Sequence, residues 1–134
     1  MKFSVVTAVR NGEAEIGRTM RSVLAQTYPA PFEYILVDGA SSDKTLETAK
    51  TLVSQFERRG VSVTLISEPD KGIYDAMNKG IGAASGDIIG LLNCGDIYMP
   101  DALAETEKVF DAGCDLSYAD ILIRRGKRTY VKRA

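Results

Sequence analysis

An α/β fold with a mostly parallel central sheet is what this sequence predicts, and three observations predict it. Short β-branched runs alternate with segments of helical periodicity along most of the chain. Three of those runs stop at turn-forming residues, Arg10-Asn11-Gly12, Asp38-Gly39 and Asn93-Cys94-Gly95-Asp96. The stretch Glu68 to Asp96, EPDKGIYDAMNKGIGAASGDIIGLLNCGD, places a helical pattern before an apolar strand that ends on an acidic turn. Open α/β sheets keep their ligands at such strand ends.

Phe3 to Val9 reads as the first strand. Glu13 to Gln26 follows as a helix with Ile16, Met20, Val23 and Leu24 on one face and acids in its first turn, where the helix dipole favours them. Tyr28-Pro29-Ala30-Pro31 breaks it, and Glu33 to Val37 is the second strand. Ala40-Ser41-Ser42-Asp43 supplies caps for a second helix, whose stripe is Leu46, Ala49, Leu52, Val53 and Phe56 and whose end is Arg58-Arg59-Gly60. Val61 to Ile66 is the third strand. In the central helix, opened by Pro69-Asp70 with the aspartate as a cap, Ile73, Ala76, Met77, Gly80, Ile81 and Ala84 share one face, while Asp75, Asn78 and Lys79 point away. Ile88 to Leu92 reads as a strand buried on both sides, Pro100 to Phe110 as a further helix, and Asp115 to Ile123 as a final strand. No repeat, low-complexity segment or linker interrupts the pattern, so residues 1–134 are expected to form one domain.

Composition narrows the chemistry. No apolar run approaches membrane-spanning length, and the N-terminus has neither the apolar length nor the cleavage site of a signal peptide, so a cytoplasmic protein is expected. Cys94 and Cys114 are far apart and there is no histidine, which argues against a zinc site, a disulfide framework and His-dependent nucleophiles. Six of the 17 basic residues lie in the last twelve, so the first 122 residues carry 11 cations against all 18 acids, a net charge of −7. An acidic body argues against nucleic acid as a partner. The basic tail, +6 in charge, admits contact with anionic lipid at the inner membrane face, contact with a phosphorylated acceptor, or a solvated hairpin.

Gly80, Gly82 and Gly86 resemble a dinucleotide fingerprint only superficially, because they close a helix instead of joining a strand to one. Asp38 at a strand end suits either a hydrogen-bond acceptor for a base or ribose, or a turn-forming residue before Gly39. Asp96 suits either a hard-metal ligand or a turn residue. Asp75 and Lys79, four apart, read as a surface pair.

The ordered phrases SVVTAVRNG, ILVDGASSDKT, EPDKGIYDAMNKGIGAASGD and IIGLLNCGD resemble the family-2 glycosyltransferases of the GT-A fold, over nearly the whole chain from Lys2 to about Asp120. The likeness is strongest to bacterial enzymes of polysaccharide and O-antigen assembly. It implies a Rossmann-like, three-layer α/β/α domain that transfers a sugar from a nucleotide-diphosphate sugar to a glycan or lipid-linked acceptor, with inversion and with Mn²⁺ or Mg²⁺. It implies that Thr7, Ala8, Val9, Arg10 and Asp38 hold the nucleoside, that Asp70 and Asn78 lie near the ribose, diphosphate or sugar, and that Asp96 binds the metal. The pattern departs from the family at Gly95, which stands where the first of two motif acids would be. It departs again at the end of the chain, where the acceptor half and its general base are expected and no match is found. The expectation is therefore a donor-binding portion, truncated at the C-terminus, that transfers poorly alone and is open to self-association. A nucleotide-binding module without turnover is the alternative, and a nucleotidyltransferase the third reading, unsupported by any glycine-rich loop near the N-terminus.

Overall fold

The computed structural model describes residues 1–133, which form two compact units, Met1–Leu103 and the chain from Ala104 onward. The first unit contains strands β1 (Phe3–Val9), β2 (Phe32–Asp38), β3 (Ser62–Ser67) and β4 (Ile88–Leu91), with helices α1 (Ile16–Leu24), α2 (Thr45–Arg58) and α3 (Ile73–Ala83) between them. The four strands form one sheet in the order β3-β2-β1-β4, every pair parallel. The expected α/β architecture is therefore present.

Register divides the sheet into two faces, because paired residues of a parallel sheet point the same way. Val6, Ala8, Ile35 and Val37 pack with Ala76 on the α3 face. Phe3, Val5, Tyr34 and Leu36 lie on the other face, where Tyr34 stacks on Phe56 of α2 with ring centroids 5.1 Å apart. β1 and β2 are central and nearly wholly buried, so they read as unbroken apolar runs.

Strand β4 and helices α1 and α3 differ from expectation. β4 is not buried on both sides: Ile88 and Leu92 are buried, but Ile89 and Leu91 are 40% and 45% exposed. The reason is placement. α3 packs over β1 and β2, and β4 is an edge strand with no outer partner among the described residues. α1 begins at Ile16, three residues late, and has no acid in its first turn. Glu13 is committed elsewhere, its Oε2 accepting the Lys44 amide at 2.8 Å and its own amide donating to Asp43 at 3.2 Å. The cap of α3 is Gly72 and not Asp70, whose Oδ1 accepts the Gly72 amide at 2.9 Å.

The second unit holds most of α4 (Ala102–Asp111) and a hairpin of β5 (Ile121–Arg125) and β6 (Arg128–Lys132). The last part of the chain is thus an antiparallel pair in a sheet of its own, starting at Ile121 instead of Asp115. Arg124, Arg125, Lys127, Arg128, Lys132 and Arg133 are all exposed, as a solvated hairpin requires. No helix among the described residues is long and apolar enough to cross a membrane.

At the amino end of the sheet, Glu33 ties three segments together. It accepts from Ser4 Oγ at 2.6 Å, the Ser85 amide at 2.7 Å and Lys2 Nζ at 3.3 Å. Burial raises its pKa, but the bonds from Ser4, Ser85 and Lys2 together outweigh burial and bring it down to about 2. A carboxylate held below its unfolded value contributes stability above that value, roughly 4.3, and loses it as pH falls toward the folded value. Urea unfolding at pH 6 and pH 3 should show wild type losing more stability over that interval than Glu33→Gln.

Candidate functional site

The carboxyl ends of the four strands carry the loops that could make a site, and side chains stitch those loops together. The Gly39 amide donates to the Val9 carbonyl at 2.9 Å, and the Glu68 amide to the Asp38 carbonyl at 3.0 Å. Asn11, held at a φ of 51° that asparagine tolerates, accepts the Ser42 amide at 2.9 Å, while its own amide donates to Ser41 Oγ at 2.8 Å. Thr45 Oγ1 accepts the Gly12 amide at 2.8 Å. The loops after β1 and β2 thus form one cross-linked platform.

Beside that platform lies a cavity of about 260 Å³, lined by Ala8, Val9, Arg10, Asp70, Gly72, Ile73 and Ala76. A depression of about 250 Å³ at the opposite end of the sheet is lined by Tyr28 to Phe32 and Arg59 to Val61. The first is the candidate, because strand ends, an acid and a cation converge there. It lies just below the 300–1,000 Å³ range of ligand pockets, so it suits one portion of a larger ligand.

The expected site residues divide accordingly. Ala8, Val9, Arg10 and Asp70 line the cavity; Thr7, Asp38, Asn78 and Asp96 are outside its lining. Thr7 is fully buried on the face opposite Ala8, and its hydroxyl and that of Tyr34 make no well-formed hydrogen bond. Burial of Tyr34 pushes its pKa well up, so the phenol stays protonated. Asp38 is only 1% exposed. Its carboxylate accepts from the Ser41 amide, from the Ser41 hydroxyl and from Ser67 Oγ at 2.7 Å, bonds that shape the loop. Asn78 is exposed on α3.

Asp96 sits on an exposed turn whose backbone α1 fixes. Thr19 Oγ1 donates to the Asp96 carbonyl at 2.9 Å and accepts the Gly95 amide at 3.0 Å, and Arg18 donates to the Gly95 carbonyl at 3.0 Å. The Asp96 carboxylate has no hydrogen bond or ion pair among the described residues. Gly95 has a φ of 98°, and a Cβ there would lie 2.4 Å from Glu15 Oε2. The departure at this position therefore has a local cause in the backbone: the positive φ strains any side chain there, while the exposed Glu15 carboxylate could swing aside. Nothing in the sequence pointed to Glu15 or Thr19 beside this turn.

A single free carboxylate with hard oxygen donors fits Mg²⁺ or Mn²⁺ only if other oxygens complete the shell. Among the described residues no group of three or more acidic or sulfur side chains converges on a metal position. At Cys94, beside Gly95, burial and then the nearby Glu15 carboxylate push the thiol up, which disfavours the thiolate at neutral pH.

An open parallel sheet with a cavity at its carboxyl edge and an acidic turn after its edge strand is the arrangement in which open α/β domains keep their ligands. The chain belongs to glycosyl transferase family 2, whose model matches residues 4–134. It is 32% identical over 125 residues to a PGL/p-HBAD biosynthesis glycosyltransferase of Mycobacterium bovis, covering 91% of this chain and 47% of the relative. It is 38% identical over 103 residues to an uncharacterised glycosyltransferase of Mycobacterium tuberculosis, covering 76% of this chain and 37% of the relative. The chain thus spans about half or less of the length of these relatives. Its fold is similar to that of Staphylococcus aureus TarS, solved with UDP-GlcNAc, at a TM-score of 0.73 and 23% identity over 84% of this chain and 32% of TarS. It is also similar to a mannosyltransferase of Pyrobaculum calidifontis solved with GDP-Man and Mn²⁺, at 0.72 and 24% over 79% of this chain and 31% of that one. The fold is the GT-A type that the sequence implies.

Proposed function

We propose that this chain binds the donor in a glycosyltransferase that moves a sugar from a nucleotide-diphosphate sugar to a glycan or lipid-linked acceptor in cell-surface polysaccharide assembly. One observation carries the reading: Ala8, Val9, Arg10 and Asp70 share one cavity at the carboxyl edge of the sheet, in a chain of glycosyl transferase family 2. The family match runs through both compact units, which supports treating residues 1–134 as parts of one transferase domain.

In this reading the loop after β1 and the platform braced by Asp38 receive the nucleoside, with Thr7 supporting them from below. Arg10 belongs with the residues that hold the nucleoside, and Asp70, with Asn78 on the adjoining helix, lies near the ribose, diphosphate or sugar. Asp96 would hold a divalent ion, Mn²⁺ or Mg²⁺, with diphosphate and water oxygens as further ligands. When bound, that ion offsets the negative charge that grows on the departing nucleoside diphosphate. In single in-line displacement a carboxylate takes the proton of the acceptor hydroxyl as its oxygen bonds to the anomeric carbon, and the bond to the diphosphate oxygen breaks with inversion. We assign no residue of this chain as that base.

Among the described residues Asp70 is the one carboxylate in the cavity lining, and the Gly72 amide already occupies its Oδ1. That favours, as a second reading, a module that binds donor without turnover. Thermal-shift titration with UDP-, GDP- and dTDP-sugars, with and without Mn²⁺, tests binding. Donor hydrolysis measured on whichever ligand shifts the melting separates transferase from binder. No shift with any sugar nucleotide would refute both readings.

A further inference from the structure

We propose that Lys79 and Gly39 are positioning residues that hold the Asp70 carboxylate in the cavity wall, and that Lys79 is not itself a phosphate ligand. The inference rests on the donor-binding reading above. A lysine next to such a cavity would ordinarily suggest a diphosphate contact. Here the ammonium is already engaged, with two acceptors within hydrogen-bond distance and a third carboxylate just beyond it. Lys79 Nζ lies 2.9 Å from Glu68 Oε1, 2.9 Å from the Pro69 carbonyl and 3.6 Å from Asp75 Oδ2. Those acceptors sit on both sides of the loop between β3 and α3, so the side chain bolts Glu68-Pro69 to the helix. Asp75 continues the bolt, because its Oδ2 also accepts the Lys71 amide at 3.0 Å. The hydrogen bond to Glu68, then the charges of Glu68, Asp75 and Asp70, hold the ammonium above the ordinary lysine range, so it stays charged.

Asp70 is carried by the segment so fixed, and its carboxylate rests on bare backbone. A Cβ on Gly39 would lie 2.4 Å from Asp70 Oδ2 and 3.1 Å from its Cγ. The absence of a side chain at residue 39 is what leaves that seat open. The carboxylate therefore meets a ligand already oriented, with Oδ1 on the Gly72 amide and acceptor capacity to spare for ligand hydroxyls. Ribose and hexose both offer such hydroxyls.

The test compares Lys79→Met, Lys79→Arg and Gly39→Ala with wild type by amide hydrogen exchange and by calorimetric titration with UDP, UDP-GlcNAc and GDP-mannose in Mn²⁺. Lys79→Met should speed exchange at both Lys71 and Gly72 by about 2- to 10-fold, the worth of one hydrogen bond, and weaken ligand binding by a similar factor. Lys79→Arg should restore both to within about twofold, since Arg offers the same charge and more donors. Gly39→Ala should speed exchange at Gly72 and weaken binding while leaving Lys71 unchanged, because only the carboxylate is displaced. Weakened UDP binding assigns the Asp70 contact to ribose; weakening with the sugar nucleotides alone assigns it to the hexose. Unchanged exchange at Lys71 and Gly72 in Lys79→Met overturns the proposal, as does a Lys79→Met that loses affinity without any change in exchange. If wild type binds none of the three ligands, the donor-binding reading fails, and the exchange arm still decides whether the bolt exists.

Discussion

Gly80→Leu should destabilise the first unit by about 1–3 kcal/mol or more, the usual cost of forcing volume into a packed core. Gly80 is buried where α3 presses on the sheet. A Cβ at that position would lie 2.3 Å from Val6 Cγ1 and 3.2 Å from Val37 Cγ2. Both valines are fully buried and β-branched, with little rotamer freedom to move aside. The helix must lift instead, and it carries Ile73 and Ala76 of the cavity wall with it. The same helix supplies a control of opposite sign. A Cβ at Gly82 meets nothing within 4 Å, so Gly82→Ala should stabilise by about 0.5–1 kcal/mol through helix propensity alone. Urea unfolding checks both, as midpoints that move in opposite directions with unchanged slopes.

Asp96→Ala should remove the metal dependence of donor binding and leave metal-free binding untouched. Its carboxylate is exposed and makes no internal bond, while the turn that carries it is anchored through backbone atoms to Thr19 and Arg18. Removing the side chain therefore changes the ligand set without releasing the turn. Loss of one charged contact is worth about 1.5–3 kcal/mol, or roughly 10- to 150-fold in affinity measured in Mn²⁺. Asp38→Ala should behave oppositely. It takes from the Ser41 and Ser67 hydroxyls the acceptor that braces the platform, so binding and stability should fall together, in Mn²⁺ and in EDTA alike. Calorimetry in Mn²⁺ and in EDTA distinguishes the two patterns.

The contrast between these aspartates shows what the sequence carried and what it did not. Asp38 ends β2 and Asp96 lies on the turn after β4, and both strands were legible from β-branched runs and turn residues. Which carboxylate is free was not legible, because it depends on Ser41 and Ser67 reaching Asp38 from separate segments while none of the described residues reaches the Asp96 carboxylate. The alternation of strands and helices implied parallel strands, since each crossover must return to the same edge, but not their order in the sheet. Composition could not reveal that β4 has one open face: Ile88 to Leu92 is as apolar as a strand covered twice, and the cover is decided by where α3 lies. The Asp75–Lys79 spacing gave the pair itself. Its further links to Glu68 and Pro69 come from the bend before α3, which no periodicity encodes.

The most direct test of the central claim is a map of backbone amide shifts as UDP-GlcNAc or GDP-mannose is titrated into the isotope-labelled chain with Mg²⁺. The account predicts saturable shifts at Ala8, Val9, Arg10, Asp70, Gly72 and Ala76, with smaller ones at Gly95 and Asp96. It predicts no change at Tyr28, Phe32, Arg59 and Val61, which line the depression at the other end of the sheet. Shifts confined to that far end, or none with either ligand at millimolar concentration, would contradict the placement of a donor site at the carboxyl edge.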